Sequence, residues 1–162
     1  MNGAMLLPEF DQEMANTRKV LERVLDDQLG FKPHEKSWTL RELAGHVSQL
    51  PGWCTATLGM TELDLSQPWE QPEFNSRADF LSVFDAQVTE GRKALEAASA
   101  DDLAVNWTLK MGDEVIFSMP RAAVYRSFVM NHLIHHRAQL TIYLRLTGAP
   151  VPGMYGPSAD EQ

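Results

Sequence analysis

The sequence predicts an all-α protein: a four-helix bundle with a long crossover connection and a small β-hairpin between its third and fourth helices. Three observations carry that prediction. Four long segments place apolar residues at helical spacing, a stretch broken by Gly59, Pro68 and Pro72 separates the second segment from the third, and only one short region is β-prone. The first helix is predicted from about Pro8 to Leu29, with Met14, Val20, Leu21, Val24 and Leu25 near helical spacing, Pro8 in the first turn and Gly30 as the stop. The second starts at Thr39, which forms a T-x-x-E capping box with Glu42, and carries Leu40, Leu43, Val47 and Leu50 on one face. Pro51 has no N–H for the Val47 carbonyl, so with Gly52 it kinks or ends this helix, which resumes from Trp53 to Leu58.

Residues 59–75 are predicted as the crossover connection, longer than the turn that adjacent antiparallel helices need. The third helix begins near Asn75 or Ser76, with Asp79 in its first turn, presents Phe80, Val83, Phe84, Val88 and Leu95, and ends around Ala98. Two β-prone runs flank Met111-Gly112-Asp113 between Val105 and Phe117 and form the hairpin. The fourth helix runs unbroken from Ser118 as N-cap, with Pro120 near the first turn, to Thr147, where Gly148 and Pro150 are stop signals. The tail, Ala149 to Gln162, is a packed or loose extension.

The chain's 162 residues predict one domain, 1–162, large enough for folding to remove ~70% of the extended chain's surface. Fourteen Lys and Arg against 22 Asp and Glu give a formal charge of −8, which argues against a phosphate backbone and so against nucleic acid as partner. A single cysteine, Cys54, excludes an internal disulfide and a Cys-rich zinc site. The N-terminus has no basic n-region, and no apolar run reaches the ~18 residues of a spanning helix. The expectation is a cytoplasmic protein with no membrane segment.

Three of the five histidines, His132, His135 and His136, lie within five residues of the fourth helix. His132 and His136, one helical turn apart, can converge on one ion at ~2.0–2.1 Å. On a straight helical wheel they share a face with Tyr125, Phe128, Val129, Gln139 and Tyr143, whereas His135 lies towards the edge as an outer or surface residue. A third ligand is needed from His34 or His46, and His46 is the better placed, at the edge of the stripe of Leu43, Val47 and Leu50. The plainer reading is that these histidines are hydrogen-bonded core residues. Glu42, one turn before His46, is a candidate base or ligand-orienting residue, although capping accounts for it more simply. Tyr125 is a second weak catalytic candidate, and Gln139 and Trp53, with Trp69 and Trp107, are candidates to wall a pocket. Cys54 lies ~12 Å from His46 along a continuous helix, too far to share an ion.

Trp38-Thr39-Leu-Arg-Glu-Leu-Ala-Gly-His46, then Asn131-His132-Leu-Ile-His135-His136-Arg-Ala-Gln139 with Tyr143-Leu-Arg145, and the Tyr155-Gly-Pro-Ser tail together resemble the DinB-like metalloenzyme superfamily, unrelated to the polymerase of that name. The resemblance runs from about residue 6 to 161. It implies a four-helix bundle, a dimer, and one divalent transition metal ion held by His46, His132 and His136, nickel or zinc being favoured and iron or manganese possible. Three neutral imidazoles leave positions open for water or substrate, as in catalytic sites. The resemblance further implies a low-molecular-weight-thiol S-transferase or a hydrolase, with a small-molecule thiol or electrophile as partner. The alternative is a non-catalytic metal-binding stress-response protein. Met130, Leu133, Ile134 and Leu144 extend the apolar character of the fourth helix away from the histidines, among Arg126, Arg137 and Arg145, and predict a homodimer or burial within one chain.

Overall fold

The computed structural model describes residues 2–69 and 71–161. Its elements are α1 (Leu7–Leu21), α2 (Leu40–Gln49), α3 (Gly52–Gly59), β1 (Glu62–Asp64), α4 (Arg77–Ala97), α5 (Ala100–Ala104), β2 (Asn106–Met111), β3 (Glu114–Pro120), α6 (Arg121–Val124) and α7 (Asn131–Leu146). A π-helical stretch, Tyr125–Met130, joins α6 to α7, so 121–146 form one rod. Four rods, α1, α2 with α3, α4, and this last one, surround a core that includes Phe10, Leu21, Leu43, Phe80, Leu133 and Leu140. The fold is mostly helical, with a small three-stranded sheet, and among the described residues no helix is long and apolar enough to cross a membrane.

The helix starts follow the capping chemistry. The Glu42 N–H donates to Thr39 Oγ1 at 3.1 Å, and the Glu42 carboxylate accepts from the Thr39 N–H at 2.7 Å. Asp79 does the same for α4, accepting from the Ser76 and Asn75 N–H groups at 2.8 and 2.9 Å. Pro51 keeps helical dihedrals, so α3 continues α2 after a kink. Past α7, Gly148 at φ 78° lets the Ala149 N–H return to the Leu144 carbonyl.

Four expectations are corrected. The first helix ends at Leu21, short of Leu29, because Asp26 and Asp27 would burden a helix C-terminus with negative charge. The chain instead turns into a short 3-10 segment, Asp26–Gln28, that still buries Val24 and Leu29. The hairpin turns at Gly112, whose φ of 59° suits the first central position of a type II′ turn, but it is not alone: β1, inside the supposed connection, pairs parallel to β2. Ser118 is not a helix cap but a strand residue whose hydroxyl meets Thr108 Oγ1 at 3.0 Å, and the helix begins at Arg121. The fourth helix is also not unbroken, since the π stretch interrupts it. The short α5 was not foreseen.

Met130, Leu133 and Leu144 are fully buried within this chain, Ile134 is half-buried, and Ile142 and Leu146 of the same helix stay exposed. Arg137 is buried with the first three. Its guanidinium lies 2.6 Å from the Glu13 carboxylate and donates to the Glu13 carbonyl and to Thr17 Oγ1. The Tyr155 hydroxyl accepts from Arg137 at 2.7 Å and lies 2.9 Å from both Glu13 carboxylate oxygens, which clamps the tail onto α1 and α7. Asp160, paired with Arg145 and accepting from the Val151 N–H, fastens the tail's end, so the extension is packed.

Cys54 is wholly buried, and burial pushes its thiol up to about 12. The native protein should therefore not react with iodoacetamide at pH 8 over hours, whereas denatured protein should be fully alkylated, as mass spectrometry would show.

Candidate metal centre

The capped start of α2 fixes that helix in rotation and presents His46 towards α7, which carries His132 and His136 one turn apart. The three rings converge with centroids 4.6–5.0 Å apart, His46 meeting His136 edge to face and the other two pairs tilted. One ligand nitrogen from each lies within 4.8 Å of the others, and the Nε2 atoms of His46 and His132 are 3.2 Å apart. Two imidazole nitrogens bound tetrahedrally to one ion at ~2.0–2.1 Å would sit ~3.3–3.4 Å apart, so the His46–His132 pair already stands at ligand spacing, with His136 within reach.

Electrostatics agree with the geometry. Burial, then the neighbouring His136 and His132, push His46 down to about 4. Burial also lowers His132 and His136. All three are neutral at pH 7, which keeps lone pairs free for an ion. Gln139 Oε1 lies 2.8 Å from His136 Nδ1. As a carbonyl can only accept, Nδ1 carries the proton and Nε2 presents the lone pair, the usual arrangement for an orienting partner of a metal ligand. The donor set is nitrogen only, and the cluster could hold a metal ion.

Aromatic walls hold the rings. Trp38 stacks on His136 with centroids 5.6 Å apart and meets His46 edge-on at 5.1 Å, while Phe128 packs on His132 at 5.4 Å. The cluster opens on two sides, to a cavity lined by His46, Trp53, Trp69 and Phe74, and to another lined by His136, Gln139, Lys36 and Tyr143. Phe74 closes against α2 because Gly45 has no side chain: a Cβ there would stand 2.7 Å from its ring. Gly45→Ala should therefore push the connection away from the site and cost about 1–3 kcal/mol, measurable by urea unfolding.

The whole of residues 1–162 matches the family model described as "DinB family". The chain belongs to the DinB family. Among curated proteins it is similar to the uncharacterized protein YrdA of Bacillus subtilis (strain 168), 28% identical over 159 residues, covering 96% of this chain and 89% of YrdA. The DinB fold is matched by a crystal structure of a DinB-like protein from Bacillus cereus ATCC 10987, with TM-score 0.70, 23% identity and coverage of 93% of this chain and 95% of that one. A second DinB-like crystal structure, from Bacillus subtilis, has TM-score 0.73 and 18% identity over 98% of this chain and 99% of that one.

Of the residues singled out in this DinB sequence, the fold unites His46, His132, His136, Gln139 and Trp53. His135 is exposed and touches His136 only edge-on, and His34 is exposed, its Nδ1 accepting from the Lys36 N–H. Glu42 borders the His46 cavity, but its carboxylate is occupied by Thr39, whose N–H and hydroxyl hold it below the usual carboxylate range. Tyr125 is removed from the site. It is buried in the bundle core, burial pushes its phenol upward, and its hydroxyl has no partner among the described residues. The cause is the π stretch: each i→i+5 turn takes one residue more than an α turn, so residues before it fall ~100° out of phase with His132. Trp69 lines two cavities and Trp107 sits in a separate small core under the sheet. Phe128 keeps its place on the histidine face, whereas Trp38 was not foreseen as a site wall: it sits before the helix that carries His46, where no periodicity reports it.

Proposed function

We propose that His46, His132 and His136 bind one divalent transition metal ion, nickel or zinc for preference, and that the chain is a thiol-dependent S-transferase. The observation that supports this most is the convergence of three neutral imidazoles at ligand spacing beside two cavities. When bound, the ion supplies a Lewis acid that lowers the pKa of a coordinated thiol or water. Because the imidazoles bring no negative charge, they leave the ion's full charge available to that ligand.

The residues around the cluster favour a thiol over water. Among the described residues that line the His46 cavity, the one carboxylate is Glu42, and it is spent on the cap of α2. Tyr125 is in the core. Among the described residues the site therefore offers no free carboxylate as a general base, a lack that matters little for a thiol of pKa ~8.5 and much for water. Gln139 keeps His136 in one tautomer, and Trp38 and Phe128 confine the rings to that geometry.

Elemental analysis of untagged protein tests the reading. About one equivalent of transition metal is expected in the wild type and none in His132→Ala, with the two proteins sharing the same helical circular dichroism. Metal-loaded wild type should then transfer a low-molecular-weight thiol to monobromobimane with saturation in thiol. Metal retained by the variant, or no metal in the wild type after reconstitution with nickel and zinc, would overturn the proposal.

A further inference from the structure

Beside the histidine cavity lies a second cavity of about 320 Å³, between α3, α4 and the connection that carries β1. The two are adjacent, sharing Gln49, Trp53 and Trp69 as walls. Trp53 packs edge-on against Phe128 at 4.9 Å, and Phe128 packs on His132, so one aromatic row joins this cavity to the cluster. Trp69 at the rim is 64% exposed, a large apolar surface left open at the mouth of a pocket.

The lining states the chemistry of the occupant. Leu63, Leu65 and the two indoles make it mainly apolar, and its polar groups are carboxamides, chiefly Gln49 and Gln87. Gln87 lies flat across α3 because Gly52 leaves it room: a Cβ at that position would stand 2.4 Å from Gln87 Oε1. Among the described residues of the lining the single charged group is Asp64, whose Oδ1 already accepts from the Gly112 and Ser66 N–H groups at 2.9 Å. A lining whose described residues carry a carboxylate and no cation disfavours an anion, and two indoles attract a flat neutral ring. The volume is at the small end of small-molecule sites.

We infer that this cavity is the binding site for an uncharged aromatic group, the apolar end of the electrophile whose reactive end reaches the histidines. The assignment of the electrophile rests on the proposed S-transferase reading; the cavity's preference for a neutral ring does not. Its lining, which among the described residues holds no basic side chain, sets it apart from the cavity bordered by Lys36 and His136.

The probe is N-phenyl-1-naphthylamine, a neutral aromatic amine whose fluorescence rises in apolar surroundings, with its anionic relative 8-anilinonaphthalene-1-sulfonate as the charged control. Wild type should bind the neutral probe at least tenfold more tightly than the sulfonate. Ala56→Trp, which fills the cavity, and Trp69→Ala, at its exposed rim, should each weaken the neutral probe at least tenfold, with unchanged zinc binding by competition with a chelating dye. Equal affinity for the two probes, or undiminished binding in Trp69→Ala together with a folded Ala56→Trp, would overturn the inference. His132→Ala separates the two readings: it should lose zinc and keep the neutral probe. Loss of probe binding and retention of zinc in the cavity variants supports the inference even where thiol transfer fails.

Discussion

Arg137→Ala is expected to destabilise the protein by about 3–5 kcal/mol, since it leaves the buried Glu13 carboxylate without its countercharge. For a chain of this length that lowers the melting temperature by ~10 °C or more. The loss comes from the survivor of the pair, because a buried charge deprived of its partner keeps its desolvation cost and recovers nothing. Glu13→Ala should be similarly damaging, as it strands a guanidinium. Replacing both, by Glu13→Leu with Arg137→Met, should recover most of the stability, because an apolar pair of similar volume needs no desolvation. Tyr155→Phe removes one hydroxyl from the network and should cost about 1 kcal/mol. Urea unfolding of the four variants checks the ordering; a double variant as unstable as the sum of the singles would show that packing, not charge, governs this site.

This buried network also marks where sequence reading fails. A wheel puts Arg137 on the apolar face of Met130, Leu133, Leu140 and Leu144, but periodicity says nothing about the carboxylate 124 residues earlier in the chain that meets it there. The starts of α2 and α4 were legible, since a capping box is local: Thr39 with Glu42 and Ser76 with Asp79 are each complete within four residues. The histidine pair on α7 was legible for the same reason, being one turn of one helix. His46 was preferred over His34 from its place at the edge of the stripe of Leu43, Val47 and Leu50, and the resemblance implied the same residue. The phase of Tyr125 was lost because α and π turns have no distinct sequence signature, yet one inserted residue rotates everything before it. β1 was lost because a three-residue strand is defined by its neighbour: Glu62–Asp64 carry no alternation of their own and become a strand only on pairing with Thr108–Lys110.

His46→Ala should abolish zinc binding at concentrations that saturate wild type, and this contrast carries the most weight for the site. His46 is the only ring of the cluster that comes from α2, so without it an ion meets just two imidazoles on one helix, with no bond between rods. Gln139→Ala keeps all three rings and loses only the bond that fixes His136, which should weaken zinc by ~10–100-fold. His34→Ala, whose ring is exposed and engaged with the Lys36 backbone, should leave affinity unchanged. The same order should appear in stability, because a ligand that binds only the folded state adds about 2.7 kcal/mol at a hundredfold excess over its dissociation constant. Excess zinc should therefore raise the melting temperature of wild type and His34→Ala alike, raise that of Gln139→Ala less, and leave His46→Ala where it was. Equal zinc-dependent shifts in wild type and His46→Ala would place the ion elsewhere. A shift lost in His46→Ala but intact in Gln139→Ala would show that Trp38 stacking alone suffices to orient His136.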